Sequence, residues 1–367
     1  MLCALLLASA SLATACSSGG SKQPAEAEKP PHADPIKALL TLPKGRGIFA
    51  QRGWAIGPIT TSERQLFWTA ASSDETSDVL LLKRDLATGR TKVAAHRLFQ
   101  AFGLASAAGS VVYATRSGTH AQLASRPIAG GRPSILSNEL AAPFDARGDM
   151  LAWAEANGSR NRVLVRDMRK GRTSVAYSGP RCRRTRCYRI DRVTVADDGV
   201  VFDLGAADQG YPSLMVRRGW HAKHPEIVSV PRDPQPDLAR SSSGALYYQL
   251  GRGWMEWDFG RARPTPTWPH GLRPWLLSRD AHRDLVLGGP TCSTTAAVHI
   301  GTRLVAVRAP RSTPVSAKGF GKLCRQLAGF AWSGNRLLLA WTLTPRISIE
   351  AHEEIGVSSV ITSNEIG

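Results

Sequence analysis

Residues 165–175, "VRDMRKGRTSV", read as a hairpin: a strand ending on Arg166 and Asp167, a turn reaching Gly171, and a returning strand from Arg172. Nearly the same phrase stands at 82–93, "LKRDLATGRTKV", and again at 124–135, "ASRPIAGGRPSI". Superimposing the three aligns Arg84, Arg126 and Arg166, then Gly89, Gly131 and Gly171, then Arg90, Arg132 and Arg172, at offsets of 42 and 40 residues. A period in this range marks a chain built by repeating one supersecondary unit.

The apolar runs carry the period further along the chain. Each ends in a large residue: "QLFW" at Trp68, "VVYA" at Tyr113, "MLAW" at Trp153, "VVFD" at Phe202, "LYYQ" at Tyr248, "LVLG" at Leu287 and "LLLAW" at Trp341. Gly109, Gly148, Gly199 and Gly244 precede the large residues Tyr113, Trp153, Phe202 and Tyr248 by three to five residues, and each is expected to supply the positive φ of a tight turn. The unit therefore reads strand, turn, aromatic-bearing strand, polar loop, strand, glycine turn, strand. Short runs of Val, Leu, Ile and aromatic residues between Gly, Pro, Ser and Asp are strand signals, and no useful 3.6-residue apolar stripe follows residue 45. Four strands per unit of this length is a blade, so the expected fold is all-β: a single β-propeller of about seven four-stranded blades, with six as the runner-up. Trp68, Tyr113 and Trp153 are expected to pack between blades. The arginines around Gly89, Gly131 and Gly171 are expected on the solvated rim. The stretch "GIFAQRG" (47–53) is available to close the ring by pairing with the last blade.

Of 367 residues, 47 are Lys or Arg against 29 Asp or Glu, a net charge of +18. Such a field favours polyanions or an anionic surface. The arginines are dispersed along the chain and no basic helix or nucleic-acid motif accompanies them, which disfavours nucleic acid as the partner.

The opening "MLCALLLASASLATAC" holds an apolar run too short for a mature span, the form of a signal peptide over residues 1–15, although no Lys or Arg precedes it. "LATAC" resembles a lipobox that would make Cys16 the acylated first residue of a lipoprotein, while Ala13-Thr14-Ala15 equally fits an ordinary cleavage site and simple secretion. Residues 16–41 read as a flexible Ser/Gly/Pro tether, and 42–367 are expected to form the propeller domain. Beyond Cys16, the even set Cys182, Cys187, Cys292 and Cys324 in an exported chain reads as two disulfides. Proximity and position in the repeat favour Cys182 with Cys187 and Cys292 with Cys324, out of three possible pairings.

The "G-x-hydrophobic-hydrophobic-aromatic" strands ("GSVVY", "GVVFD", "GALYY") and the "R-D-x-x-x-G-R" hairpins ("RDLATGR", "RDMRKGR") resemble the TolB-like and WD40-like β-propellers of exported bacterial proteins. The resemblance spans most of residues 45–345. It lacks the Gly-His and Trp-Asp signatures, apart from Trp257-Asp258, and has only "ADDG" (196–199) for the family's acidic turn. It implies a binding platform for proteins or saccharides, and some relatives are enzymes; fold alone does not choose.

No G-x-S-x-G elbow, P-loop or strand-linked dinucleotide glycine motif occurs, and no cofactor is implied. His221 and His224 with Glu226 have loose spacing for a metal and read as surface loop residues. Trp254 and Trp257 read as blade packing, whereas Trp268, between Pro266 and Pro269, is a candidate contact residue. Arg181, Arg183, Arg184 and Arg186 around the "CRRTRC" loop are the other candidate binding residues, able to grip a phosphate or carboxylate. The expected function is a cell-envelope binding platform for a protein or an anionic polymer or saccharide, touching the membrane only through its lipid anchor. The alternative is an exported propeller lyase or hydrolase with His and Asp residues gathered at the central channel.

Overall fold

β-branched and aromatic residues fit a pleated, half-buried surface, and Gly and Asp clusters break it into short segments. Every regular element of the described chain is accordingly a strand. The computed structural model describes residues 34–37, 39–40, 49–52, 54–62, 64–72, 79–98, 103–117, 120–141, 144–157, 160–180, 188–206, 212–229, 239–240, 246–250, 253–258, 261–264, 283–287, 295–300, 303–308, 323–334, 336–345 and 358–365.

The chain enters through β1 (Leu39–Leu40) and β2 (Phe49–Arg52). The first blade is β3 (Trp54–Ser62), β4 (Gln65–Ser72), β5 (Leu80–Asp85) and β6 (Thr91–Ala95). The second is β7 (Leu104–Ala107), β8 (Ser110–Ser117), β9 (His120–Pro127) and β10 (Ser134–Ser137). The third is β11 (Asp145–Arg147), β12 (Met150–Asn157), β13 (Arg160–Asp167) and β14 (Arg172–Ser178). The fourth is β15 (Tyr188–Val195), β16 (Gly199–Ala206), β17 (Pro212–Gly219) and β18 (Glu226–Ser229). The fifth is β19 (Ala239–Arg240), β20 (Leu246–Leu250), β21 (Gly253–Asp258) and β22 (Arg261–Pro264). Three strands follow in the sixth, β23 (Arg283–Leu287), β24 (Thr295–Ile300) and β25 (Arg303–Arg308), and three more in the seventh, β26 (Leu323–Ser333), β27 (Arg336–Pro345) and β28 (Ser358–Glu365).

Each blade is an antiparallel meander whose strands pair in chain order. The described strands form one five-stranded, five four-stranded and one three-stranded sheet, seven in all. First strands of successive blades lie side by side, β26 with β3, β3 with β7, β7 with β11 and β11 with β15, which makes them innermost. In the seventh sheet β2 pairs with β28, Phe49 opposite Ile361 and Ala50 opposite Val360, so the N-terminal strand completes the last blade as its sequence allowed.

Among the described residues, each core cluster spans two neighbouring blades. Trp68 packs with Trp54, Leu66 and Leu82 against Ala331, Leu338 and Ala340 of the last blade. Tyr113 packs against Phe67 and Leu81 of the first blade, and Trp153 against Val112, Ala114 and Leu123 of the second. Phe202 repeats the arrangement against Ala152 and Val163 of the third. The aromatics thus occupy the inter-blade positions their period indicated. Trp68, Trp153 and Phe202 are wholly buried, and a buried aromatic of this size contributes about 2–3 kcal/mol in area removed from water.

Gly109 and Gly148 sit at φ values of +70° and +57° in the turns before β8 and β12, as expected, and Gly334 does the same before β27 at +57°. Gly199 departs from the expectation: it is paired within β16 rather than left-handed, and a Cβ there would lie 2.2 Å from the Arg218 carbonyl oxygen. Its lack of a side chain permits close strand approach. Gly244 lies outside the described residues.

Candidate functional site

The recurring outer hairpin is built from its own sequence. In the first blade, Asp85 Oδ1 accepts from the N–H groups of Ala87 (2.9 Å) and Thr88 (2.8 Å), and Gln65 Nε2 donates to Oδ2 at 3.1 Å. In the third, Asp167 Oδ1 accepts from Lys170 N at 2.8 Å. These donors favour the ionised form, so both carboxyls lie below their ordinary range, Asp85 chiefly through Thr88 N and Asp167 chiefly through Lys170 N. Gly89 and Gly171 then turn the chain at φ of +69° and +68°.

The preceding arginines are not the freely solvated rim that the sequence led us to expect. Arg84 Nη1 donates to Thr91 Oγ1 at 3.1 Å, and Arg166 Nη1 donates to Thr173 Oγ1 at 2.9 Å, so each guanidinium lies back across its own turn. The physical reason is register: Arg84 faces Thr91 and Arg166 faces Thr173 across the ladder, within reach of a hydroxyl acceptor. The second arginine of each repeat behaves as expected. Arg90, Arg132 and Arg172 are exposed at the same hairpin position of three successive blades, and among the described residues no ion pair holds them. The result is a set of cations on stiff supports along the outer rim, chemically suited to anionic groups.

The innermost strands present a different chemistry. Asp145, only 2% exposed, accepts from Val195 N of the fourth blade at 2.8 Å and from Ala146 N at 2.8 Å. Arg147 reaches Asp197 of the fourth blade at 2.5 Å. Ser106 donates to Thr61 O at 2.8 Å, and Thr61 Oγ1 donates to Trp332 O. These polar groups join neighbouring blades. Arg189 and Arg192 are exposed on β15. His221 and His224 are both exposed in the turn after β17, and among the described residues no group of three His, Cys, Asp or Glu could hold a metal ion.

Cys16, Arg181, Cys182, Arg183, Arg184, Arg186, Cys187, Trp268 and Cys292 lie outside the described residues. In the sequence, residues 181–187 lie between β14 and β15. Cys324 is in β26 opposite Thr344, and Trp254 and Trp257 are in β21.

No family model matches the chain, and no curated protein does. Solved structures match over most of its length. The β-propeller domain of the Trilobed protease from Pyrococcus furiosus, described with an open velcro topology, is 7% identical over 78% of this chain and 89% of that one, with a TM-score of 0.51. A prolyl endopeptidase structure is 14% identical over 84% of this chain but only 46% of that one, with a TM-score of 0.53. TolB from Acinetobacter baumannii is 14% identical over 86% and 81% of the two chains, with a TM-score of 0.40. At these identities the likeness is one of fold alone: the chain is a β-propeller.

Proposed function

We propose that the chain is a binding platform of the cell envelope, whose basic exterior takes anionic polymers, saccharides or acidic protein partners. The observation that carries this reading is the repeated exposed arginine, Arg90, Arg132 and Arg172, set at corresponding positions of three outer hairpins on a chain of net charge +18. Several cations on one scaffold raise the local concentration of an anionic partner even where each single contact is weak. The proposal includes export, with residues 1–15 as the signal, Cys16 as the lipidated anchor, residues 16–41 as the tether, and 42–367 as the propeller. It also includes two disulfides among Cys182, Cys187, Cys292 and Cys324, and candidate contacts at Arg181, Arg183, Arg184, Arg186 and Trp268.

The test is co-sedimentation with vesicles of phosphatidylglycerol and phosphatidylcholine, and with phosphatidylcholine alone, over a salt series. Binding confined to the anionic vesicles and falling steeply with salt is expected, weakened about tenfold or more when Arg90, Arg132 and Arg172 are together replaced by Ser. Association indifferent to salt and to those substitutions would remove the electrostatic platform.

A further inference from the structure

The seam between the first and second blades gathers three cations. Lys83 on β5 and Lys92 on β6 are direct cross-strand partners. Lys83 Nζ crosses the seam to donate to Ile128 O of the second blade, and lies 5.6 Å from the centre of the Phe67 ring. From the other side, Arg126 Nη1 donates to Ala94 O of the first blade. The floor beneath is apolar: Phe67, Tyr113 and Ile128 are buried there together. Among the described residues no carboxylate pairs with Lys83, Lys92 or Arg126. Asp85, nearest in sequence, already accepts from Ala87, Thr88 and Gln65.

Comparison of the repeats shows that this seam is special. The positions of Lys83 and Lys92 are held by Ser125 and Ser134 in the second blade, Val165 and Ser174 in the third, and Arg217 and Glu226 in the fourth. Where another blade has a cation here, an anion faces it; the first blade alone of these four sets like charges opposite one another, an arrangement that opposes folding. Arg126 has also changed role. Its equivalents Arg84 and Arg166 fold back onto Thr91 and Thr173, but Pro133 stands in the corresponding place of the second blade and offers no hydroxyl, and Arg126 turns across the seam instead. Burial first, then Lys92 and Arg126, hold the Lys83 ammonium below its ordinary range against a partial opposing pull from Asp85, the direction an anion between the cations would reverse.

We propose that Lys83, Lys92 and Arg126 form a binding site for a single phosphate group at the seam of the first two blades. Each cation retains donors beyond any it spends on a backbone carbonyl, three on an ammonium and five on a guanidinium in total. They come from two strands of one blade and one of the next, and three cations together suit a divalent oxyanion with several acceptor oxygens. The site deepens the platform reading by naming a ligand group, and rests on it only for the phosphate's source, whether free phosphate or the phosphate ester of a larger molecule.

The test is calorimetric titration of the full chain with inorganic phosphate and, in a second arm, glycerol 3-phosphate, against chloride at equal ionic strength. Saturable binding of one equivalent is expected. Lys92→Ser, which copies the second and third blades at an exposed position, should weaken it about tenfold, the loss of one charge-assisted hydrogen bond. Lys92→Glu, which copies the fourth blade, should abolish binding while raising the melting temperature, because its carboxylate then occupies the site; damage to the fold would lower both. Tighter binding of glycerol 3-phosphate assigns an ester as ligand, and tighter binding of inorganic phosphate assigns the free ion. Absence of saturable binding, or equal affinity in wild type and Lys92→Glu, overturns the site. The platform fails separately: Lys92→Ser leaves salt-sensitive vesicle association in place, and the triple substitution of Arg90, Arg132 and Arg172 leaves phosphate affinity in place.

Discussion

Gly109 and Gly199 both stand just before an apolar run that carries a large aromatic, four residues before Tyr113 and three before Phe202, and they are glycine for different reasons. Gly109 turns at φ +70° with nothing within 4 Å of where a Cβ would stand, so an alanine there suffers only the left-handed backbone. Gly199 is opposite Gly219 in the ladder, and a Cβ would meet Arg218 O at 2.2 Å and Gly219 Cα at 2.8 Å. Neither neighbour can move without breaking the pairing of β16 with β17. Gly109→Ala should therefore cost about 1–2 kcal/mol, and Gly199→Ala about 3 kcal/mol or more through overpacking against backbone. Urea denaturation of the two variants checks the order; equal costs would contradict the close-approach role. A spacing of three to five residues put both glycines in one class, whereas the one-residue difference between them sets Gly109 in the turn before β8 and Gly199 inside β16.

The hairpins were legible as elements: "RDLATGR" and "RDMRKGR" each form a strand end, a glycine turn and a return. What the residues could not show was which arginine leaves the surface. That depends on whether a hydroxyl faces it, as Thr91 and Thr173 do and Pro133 does not, and it becomes visible only once the strands are paired. The seam cluster was hidden for a related reason: Lys83 and Arg126 belong to different repeats and meet only when blades stack. The hairpin also has a titration. Asp85 and Asp167 have folded pKa values below their unfolded ones, near 3.9 for a free aspartate, because Thr88 N and Lys170 N, among other donors, bond the carboxylates. A lowered carboxylate stabilises the fold above its unfolded pKa, and that contribution is lost as pH falls through the folded value. The window is therefore below about pH 4. Replacing both by Asn keeps a side-chain acceptor and removes the proton uptake. The melting temperature of the double variant should fall less steeply than wild type between about pH 4.5 and pH 2.5; parallel slopes would show that the hairpin caps do not couple to protonation.

At the scale of the whole molecule, the first four blades each bury their aromatic against the neighbouring blade on one side, which for the first blade is the last, so the first blade depends on the last. Trp68 is wholly buried in a cluster to which Ala331, Leu338 and Ala340 of the last blade belong. The repeat was readable along the chain, since stacking imposes the same apolar spacing on every unit. The join of the two ends was readable only as an opportunity, because strand pairing across some 300 residues leaves no local pattern. The structure makes the join through β2, pairing Phe49, Ala50, Gln51 and Arg52 with Ile361, Val360, Ser359 and Ser358. Leu39 of β1 packs onto the same cluster as Trp68 and Ile361. Removing residues up to Gly53 deletes both strands, opens β28 as an unpaired edge and leaves the first-to-last seam without its outer cover. A loss of several kcal/mol is expected from the missing ladder and apolar contacts, which for a chain of this size corresponds to a fall in melting temperature on the order of 10 °C. A synthetic peptide covering residues 34–53, added in excess, should restore part of that loss by re-pairing with β28, since binding to the folded state alone stabilises it. A truncated chain that melts with the full-length one would show that the inner strands β26 and β3 hold the ring without the N-terminal strand.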